Sequence, residues 1–197
     1  SILITGGTGL IGKSFIKSIH NSNYSIYVLT RSNTRVEEGV NYINWDPENG
    51  QLDLTSIKQI NYVINLAGAS IDGSRWTKNY KNKILSSRIN STKLLFKKIK
   101  ELNNRPELYI GASATGYYKK NTIFQQDEKD HRGKDFLSNV VEKWEKESLE
   151  FKKLGIRTVI FRIGLVLSEK GGVLKKLYPI FKFFLGVPIG NGKQAIS

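Results

Sequence analysis

The sequence contains no cysteine. That excludes a disulfide scaffold, a thiolate zinc site and a cysteine nucleophile, and it fits a reducing compartment, so a cytoplasmic location is expected. Histidine is almost as scarce. His20 and His131 are too few and too isolated for a histidine metal cluster, and no metal is expected. No run approaches the ~18–20 consecutive apolar residues of a membrane span, so no membrane partner is expected either. The chain enters Ile2-Leu3-Ile4 with no basic region and cleavage site before it, which leaves no sign of a signal peptide. A start at Ser1 without methionine, and a stop at Gln194-Ala195-Ile196-Ser197 after a glycine-rich stretch, create the expectation of a longer parent chain.

Acidic residues are in deficit. Seventeen Asp and Glu face 31 Lys and Arg, a net charge of +14. Most of the basic residues are lysine, spread along the chain and not clustered with exposed aromatics as nucleic-acid binders arrange them. The expected partner is therefore an anionic or polar small molecule and not a nucleic acid.

What is present is an alternation. With 197 residues and 39% hydrophobic content, the chain is sized for one soluble domain. Short apolar runs alternate with longer amphipathic ones, the pattern of repeated βα units on a parallel sheet. Strands are expected at Ile2–Thr5, Ser25–Thr30, Val40–Trp45, Asn61–Leu66, Glu107–Ala112 and Ile156–Arg162. Helices are expected at about Leu10–His20, Lys78–Leu102 and Asp135–Leu154, with Gly155 as a natural stop. Ile84, Ile89, Leu94, Leu95 and Ile99 form one apolar face, and Phe136, Val140, Val141, Trp144 and Leu149 another. A last amphipathic stretch covers Val173–Leu185. These elements predict a doubly wound α/β Rossmann fold, a parallel sheet with helices on both faces and strand order 3-2-1-4-5-6. Residues 1–170 are expected to form this domain, and residues 171–197 to begin a further region.

Thr5-Gly6-Gly7-Thr8-Gly9-Leu10-Ile11-Gly12 lies between the first strand and the first helix. A pyrophosphate needs backbone N–H groups at a helix N-terminus and no side chains in its way. Gly6 permits the tight turn, Gly9 lets phosphates approach, and Gly12 lets the helix pack closely. Cofactor choice is read at the end of the second strand, ~20 residues on, where an acid would hold the ribose of NAD. Here the strand ends Leu29-Thr30-Arg31, and no acid appears until Glu37. A guanidinium there suits a 2′-phosphate. The expected cofactor is NADP(H), ahead of NAD(H).

Further motifs carry a family resemblance: Asn65-Leu66-Ala67-Gly68-Ala69, Arg75-Trp76, Ser87-Arg88-Ile89-Asn90-Ser91-Thr92, Ala112-Ser113-Ala114-Thr115-Gly116-Tyr117-Tyr118, Phe136-Leu137-Ser138, Trp144-Glu145, Arg162-Ile163-Gly164-Leu165-Val166-Leu167-Ser168 and Gly190-Asn191-Gly192-Lys193-Gln194. With the glycine turn, they make the chain resemble the extended branch of the short-chain dehydrogenase/reductase superfamily. More closely it is similar to the epimerase family proteins, an atypical NAD-dependent epimerase/dehydratase-like group. The resemblance covers essentially the whole chain. It implies that Thr8, Leu10 and Ile11 border the cofactor with the glycines, and that Leu66, Ala67 and Gly68 pass along its ribose and phosphates. It places Asp46 near the adenine, Arg88 and Ala112 along the cofactor, Ser113 at the reacting carbonyl or hydroxyl, and Gly164-Leu165-Val166 beside the nicotinamide. A homodimer through the helices after the fourth and fifth strands is common in that superfamily.

The superfamily's reductases use a Tyr and, four residues later, a Lys on the helix after the fifth strand. The phenol transfers a proton as hydride moves; the lysine lowers its pKa and holds the nicotinamide ribose. With Trp144-Glu145 setting the register, those positions fall on Leu137 and Val141, and neither can exchange a proton. Tyr117 or Tyr118 could supply the phenol, with Lys119 or Lys120 nearby. Alternatively Ser113, Arg88 and a water could move the proton, or the two tyrosines could merely line the pocket. Arg75-Trp76 and Arg88 are candidates for an anionic or polar substrate. Trp144 reads as core, while Glu142, Lys143, Glu145 and Lys146 read as a solvated helix face. Asp127, Glu128 and Asp130 read as loop surface. The leading expectation is an NADP(H)-binding oxidoreductase or epimerase-like protein acting on a small polar substrate. The alternatives are a non-catalytic NADP(H)-binding sensor and, last, a lysine-driven nucleic-acid binder.

Overall fold

A computed structural model describes residues 1–118 and 125–186. Lys119, Lys120 and Gly190-Asn191-Gly192-Lys193-Gln194 lie outside the described residues. The strands are β1 (Ile2–Thr5), β2 (Ile26–Thr30), β3 (Arg35–Glu37), β4 (Val40–Asp46), β5 (Gln51–Leu52), β6 (Tyr62–Asn65), β7 (Leu108–Ala114) and β8 (Arg157–Ile163). The helices are α1 (Leu10–Ile19), α2 (Lys78–Lys100), α3 (Phe136–Leu149) and α4 (Gly172–Lys182). The sheet runs β3-β4-β2-β1-β6-β7-β8, with β5 paired to β4. Counting the six expected strands alone, the order is 3-2-1-4-5-6, and all of these pairs are parallel.

Strand alternation sorts side chains onto two faces. Leu3, Val63 and Tyr109 enter one core with Leu94, Leu95 and Ile99 of α2, and Tyr109 stacks on Phe151 at 3.9 Å. Ile2, Ile4, Val28 and Ile64 face the other way, against Ile16 of α1. Two caps define the long helices. The Thr77 side chain accepts from Tyr80 N at 3.2 Å, and Asp135 accepts from Ser138 N at 2.9 Å. Such caps contribute about 1 kcal/mol each. Gly155 ends the helical run with φ +75°, a conformation that glycine adopts without strain.

The structure corrects several expectations. The edge strand β3 pairs antiparallel with β4, and β5 closes the turn after Asp46. β7 runs through Ala114, so Ser113 lies inside a strand and not beyond its end. α3 stops at Leu149 and tightens into a 3-10 turn, Glu150–Leu154. Leu149 itself is 41% exposed and Phe151 takes the buried place expected of it. Glu145 leaves the solvated face altogether, because the sheet and not the solvent lies opposite it.

Candidate functional site

Strand order reverses between β1 and β6, whose Thr5 and Asn65 are register partners. In open α/β sheets that reversal opens a crevice at the carboxyl ends of the strands. The glycine turn occupies one side. Gly6 has φ +66°, and a Cβ there would lie 2.7 Å from the Leu66 carbonyl carbon. A Cβ on Gly12 would lie 2.4 Å from Gly6 O and 2.6 Å from Gly7 Cα. Gly12 thus packs the first turn of α1 onto the loop itself, not onto the sheet; Gly7 meets the sheet, where a Cβ would lie 2.7 Å from Val28 Cγ1. No side chain caps α1 and no acid sits in its first turn. The first backbone bond into the helix is Lys13 N to Gly9 O, at 2.9 Å. The N–H groups of Leu10, Ile11 and Gly12 therefore have no acceptor among the described residues. Thr8, Gly9 and Ile11 are exposed around them. This cradle of free N–H groups fits a pyrophosphate.

The opposite wall is the loop after β6. Thr5 Oγ1 accepts from Leu66 N and Ala67 N, both at 3.1 Å, and donates to Asn65 Oδ1 at 2.6 Å. Asn65 Nδ2 donates to Thr92 Oγ1 and to the Tyr109 hydroxyl, each at 2.9 Å. Burial pushes the Tyr109 phenol pKa up, so its proton stays in this network. A fully satisfied buried network of this kind holds the loop rigid. The sequence motif around Asn65 does not reveal this task; a polar side chain ending an apolar strand is the one signal that could have.

Arg31 follows β2 and is exposed, with no hydrogen bond or ion pair among the described residues. Asp46 ends β4. Its carboxylate accepts from Glu48 N at 2.9 Å and from the Asn49 side chain at 2.6 Å, which organises the following turn. The Asn49 side chain, chiefly, holds its pKa below the ordinary carboxylate value, with a smaller contribution from the charge of Arg31.

Ser113, Tyr117 and Tyr118 come together around two residues not expected there. Ser113 Oγ donates to Glu145 Oε1. Arg162 on β8 grips the same carboxylate twice, Nε to Oε1 at 2.8 Å and Nη2 to Oε2 at 2.9 Å. Its third nitrogen donates to the Tyr118 hydroxyl at 2.9 Å. The guanidinium also lies 3.7 Å from the Tyr117 ring centroid. Hydrogen bonding to Glu145 raises the Arg162 pKa, so the cation is permanent. Tyr117 and Tyr118 meet edge to face at 5.4 Å, and Gly133 N holds the Tyr117 carbonyl at 2.8 Å.

The chemistry of each hydroxyl follows. Ser113 is 3% exposed and its proton goes to Glu145, so its oxygen can offer a lone pair but not a donor. Tyr118 is only half-buried. A guanidinium can only donate, so the Tyr118 oxygen accepts from Arg162 and its own proton remains for another acceptor. Leu137 is partly buried and Val141 is buried on α3, aliphatic at the positions where the resemblance expects Tyr and Lys. In this cluster the Tyr118 hydroxyl keeps a proton that Arg162 does not engage.

The remaining candidates are less concentrated. Arg88 on α2 is wedged between Gly68 and the Trp144 ring. Ala112 is buried in β7. Gly164 and Leu165 follow β8, and this loop folds back so that Gly171 and Leu10 are in contact. A groove of about 420 Å³ runs there, between Leu10, Ile11 and Phe15 of α1 and Val166-Leu167. Arg75 is exposed, and Trp76 packs edge to face on Phe136 at 5.5 Å. Asp127 and Asp130 bond backbone N–H groups of an exposed turn. A larger groove, about 530 Å³, lies between α2 and α3 beside Leu85, Ile89, Lys93 and Lys143. It is remote from the glycine turn, so size alone does not mark the site. No described helix is long and apolar enough to cross a membrane.

Comparison with known proteins gives the family. The model of the NAD dependent epimerase/dehydratase family matches residues 2–141. An epimerase family protein of Staphylococcus saprophyticus is 42% identical over 197 residues, 99% of this chain and 65% of that protein. One from Staphylococcus haemolyticus is 37% identical over the same length, 64% of its own. The chain thus spans about two thirds of these relatives. Among solved structures, the human epimerase family protein SDR39U1 with NADPH superposes with a TM-score of 0.84 at 28% identity, over 99% of this chain and 64% of that one. A nucleoside-diphosphate sugar epimerase from Corynebacterium glutamicum superposes with a TM-score of 0.82 at 26% identity, over 100% of this chain and 40% of that one. The chain belongs to the NAD dependent epimerase/dehydratase family and has its Rossmann fold.

Proposed function

We propose that this protein is an NADP(H)-dependent oxidoreductase or epimerase-like enzyme acting on a small polar substrate. The observation that carries the cofactor choice is Arg31, an exposed guanidinium at the end of β2 that forms no ion pair among the described residues. A 2′-phosphate would give it a charge-assisted partner. The human relative SDR39U1 was solved with NADPH, which supports the same choice. Gly6, Gly9 and the free N–H groups of Leu10, Ile11 and Gly12 would hold the pyrophosphate, with Leu66, Ala67 and Gly68 along the opposite wall.

Bound there, the nicotinamide supplies or accepts a hydride. Tyr118 is the acid–base group of this reading. Arg162 orients the phenol by occupying one lone pair, and Glu145 with Ser113 orients Arg162. Ser113 is therefore a positioning residue with a lone pair to offer a substrate hydroxyl. Its buried place, and its bond to Glu145, support this role over that of a direct donor to a carbonyl.

The test is a fluorescence titration with NADPH and NADH at one fixed salt concentration, on the native chain and on Arg31→Ala. NADPH binding should weaken by about 1–3 kcal/mol in the variant, the range for a hydrogen bond to a charged group. NADH binding should not change. Equal loss for both cofactors, or no loss, sinks the assignment of Arg31. A second reading, a non-catalytic NADP(H) sensor, is favoured by Leu137 and Val141. Turnover of NADPH against a panel of carbonyl compounds and nucleotide sugars, abolished by Tyr118→Phe, would exclude it.

A further inference from the structure

Arg88 is a mostly buried cation without a counter-ion among the described residues. Its Nη1 donates to two backbone carbonyls, Ala69 O at 3.1 Å and Ile84 O at 2.9 Å. Its guanidinium carbon lies 5.1 Å from the centre of the Trp144 ring. On the other side is Gly68, where a Cβ would come within 2.9 Å of that carbon and 3.2 Å of Nε. An alanine at position 68 would therefore displace the guanidinium. No acidic side chain pairs with Arg88 among the described residues. Of the five N–H donors of a guanidinium, the two on Nη1 are used, and the three on Nε and Nη2 have no acceptor among the described residues.

This arrangement is costly unless something completes it. Burial pushes the Arg88 pKa down, the direction expected of a cation short of compensation. The ring beneath it adds a second observation. Trp144 Nε1 is buried without a hydrogen-bond partner among the described residues. Buried donors without acceptors mark places where a ligand, ion or water belongs. Gly68 belongs to the loop after β6, which walls the crevice, and Trp144 stands on α3 one helical turn from Val141.

We propose that Arg88 is an anion-recognition residue, whose Nε–Nη2 edge receives an oxyanion, a phosphate or a carboxylate, of the small molecule bound in this crevice. A planar fork with two parallel donors matches such a group bidentately. The oxyanion has two chemical sources, the dinucleotide's own diphosphate or an acidic group on the substrate. The proposal rests on the reading of this crevice as the ligand site.

Trp144 lies under the guanidinium, which gives a direct readout. Tryptophan emission and the thermal midpoint are followed while inorganic phosphate, malonate or NADPH is added to the native chain, Arg88→Gln and Arg88→Lys. Ionic strength is held constant with chloride. The native chain should respond to phosphate or malonate beyond chloride, and Arg88→Gln should weaken that response at least ten-fold. Arg88→Lys, which keeps the charge but not the fork, should fall between. Loss of phosphate and malonate binding with NADPH affinity kept assigns the site to a substrate's acidic group; loss of NADPH affinity as well assigns it to the cofactor. If Arg88→Gln does not fold, Arg88→Lys and the native response decide. A native chain indifferent to phosphate and malonate, or variants that bind all three probes as it does, overturns the proposal. A native chain that binds phosphate but not NADPH would leave Arg88 standing and sink the NADP(H) reading instead.

Discussion

Arg162 and Glu145 join β8 to α3 through two nearly parallel hydrogen bonds, at 2.8 and 2.9 Å, and their side chains are only 18% and 11% exposed. This pair makes one unit of the buried Ser113 and the half-buried Tyr118. Glu145→Ala would leave a guanidinium among tyrosine rings with no carboxylate. The expected loss is about 1–3 kcal/mol, below the ~3–5 kcal/mol of a fully buried pair because some solvent reaches this one. Urea unfolding of Glu145→Ala, Ser113→Ala and the double variant measures it. The two substitutions should be less than additive, since they remove partners from one network. Strict additivity would show that Ser113 and Glu145 act separately.

The two tyrosines should respond differently to the same substitution. Tyr118→Phe removes the hydroxyl that accepts from Arg162, a loss of about 1.5–3 kcal/mol at most for a bond to a charged group. Tyr117→Phe keeps the ring over which Arg162 lies, and should cost no more than a few tenths of that range. Guanidinium unfolding midpoints compare them. A larger loss for Tyr117→Phe would mean that its hydroxyl has a partner of its own.

Glycines of the turn should separate folding from binding. Gly12→Ala drives a Cβ to 2.4 Å from Gly6 O, a backbone atom that cannot swing aside. A cost of about 1–3 kcal/mol, typical of overpacking, is expected together with loss of dinucleotide binding. Gly9 has φ −78° and its Cβ would clear Gly6 O by 3.2 Å. Gly9→Ala should therefore keep most of the stability while weakening the dinucleotide. Calorimetric midpoints read beside binding isotherms check both parts.

Asp46 makes a pH prediction. Its pKa is held low in the folded chain, foremost by the Asn49 side chain. Its contribution is fully present above the ordinary carboxylate range, and disappears as the pH falls through the lowered folded value. The stability gap between the native chain and Asp46→Asn should accordingly close on acidification. Equilibrium unfolding from pH 7 down to the acid limit tests this, and a gap that widens in acid contradicts it.

Much was legible in the sequence. The glycine turn, the six parallel strands in their order, and Arg31 at the end of β2 are local matters of spacing and residue type. A tight turn with positive φ demands glycine wherever it occurs, and apolar runs a few residues long between amphipathic stretches pack in few ways. Leu137 and Val141 also stand on α3 where the register of Trp144-Glu145 put them.

Tertiary structure alone decided what completes the site. Glu145 lies among Glu142, Lys143 and Lys146, and helical periodicity cannot tell a solvated acid from one aimed at a neighbouring strand. Only the docking of α3 against β7 and β8 brings its carboxylate to Ser113 and Arg162. Arg88, Gly68 and Trp144 come from three elements and meet only once α2, the β6 loop and α3 are packed. Local sequence sets which residues can form an element and which face is apolar. Which charge lies across from which depends on packing between segments far apart in the chain.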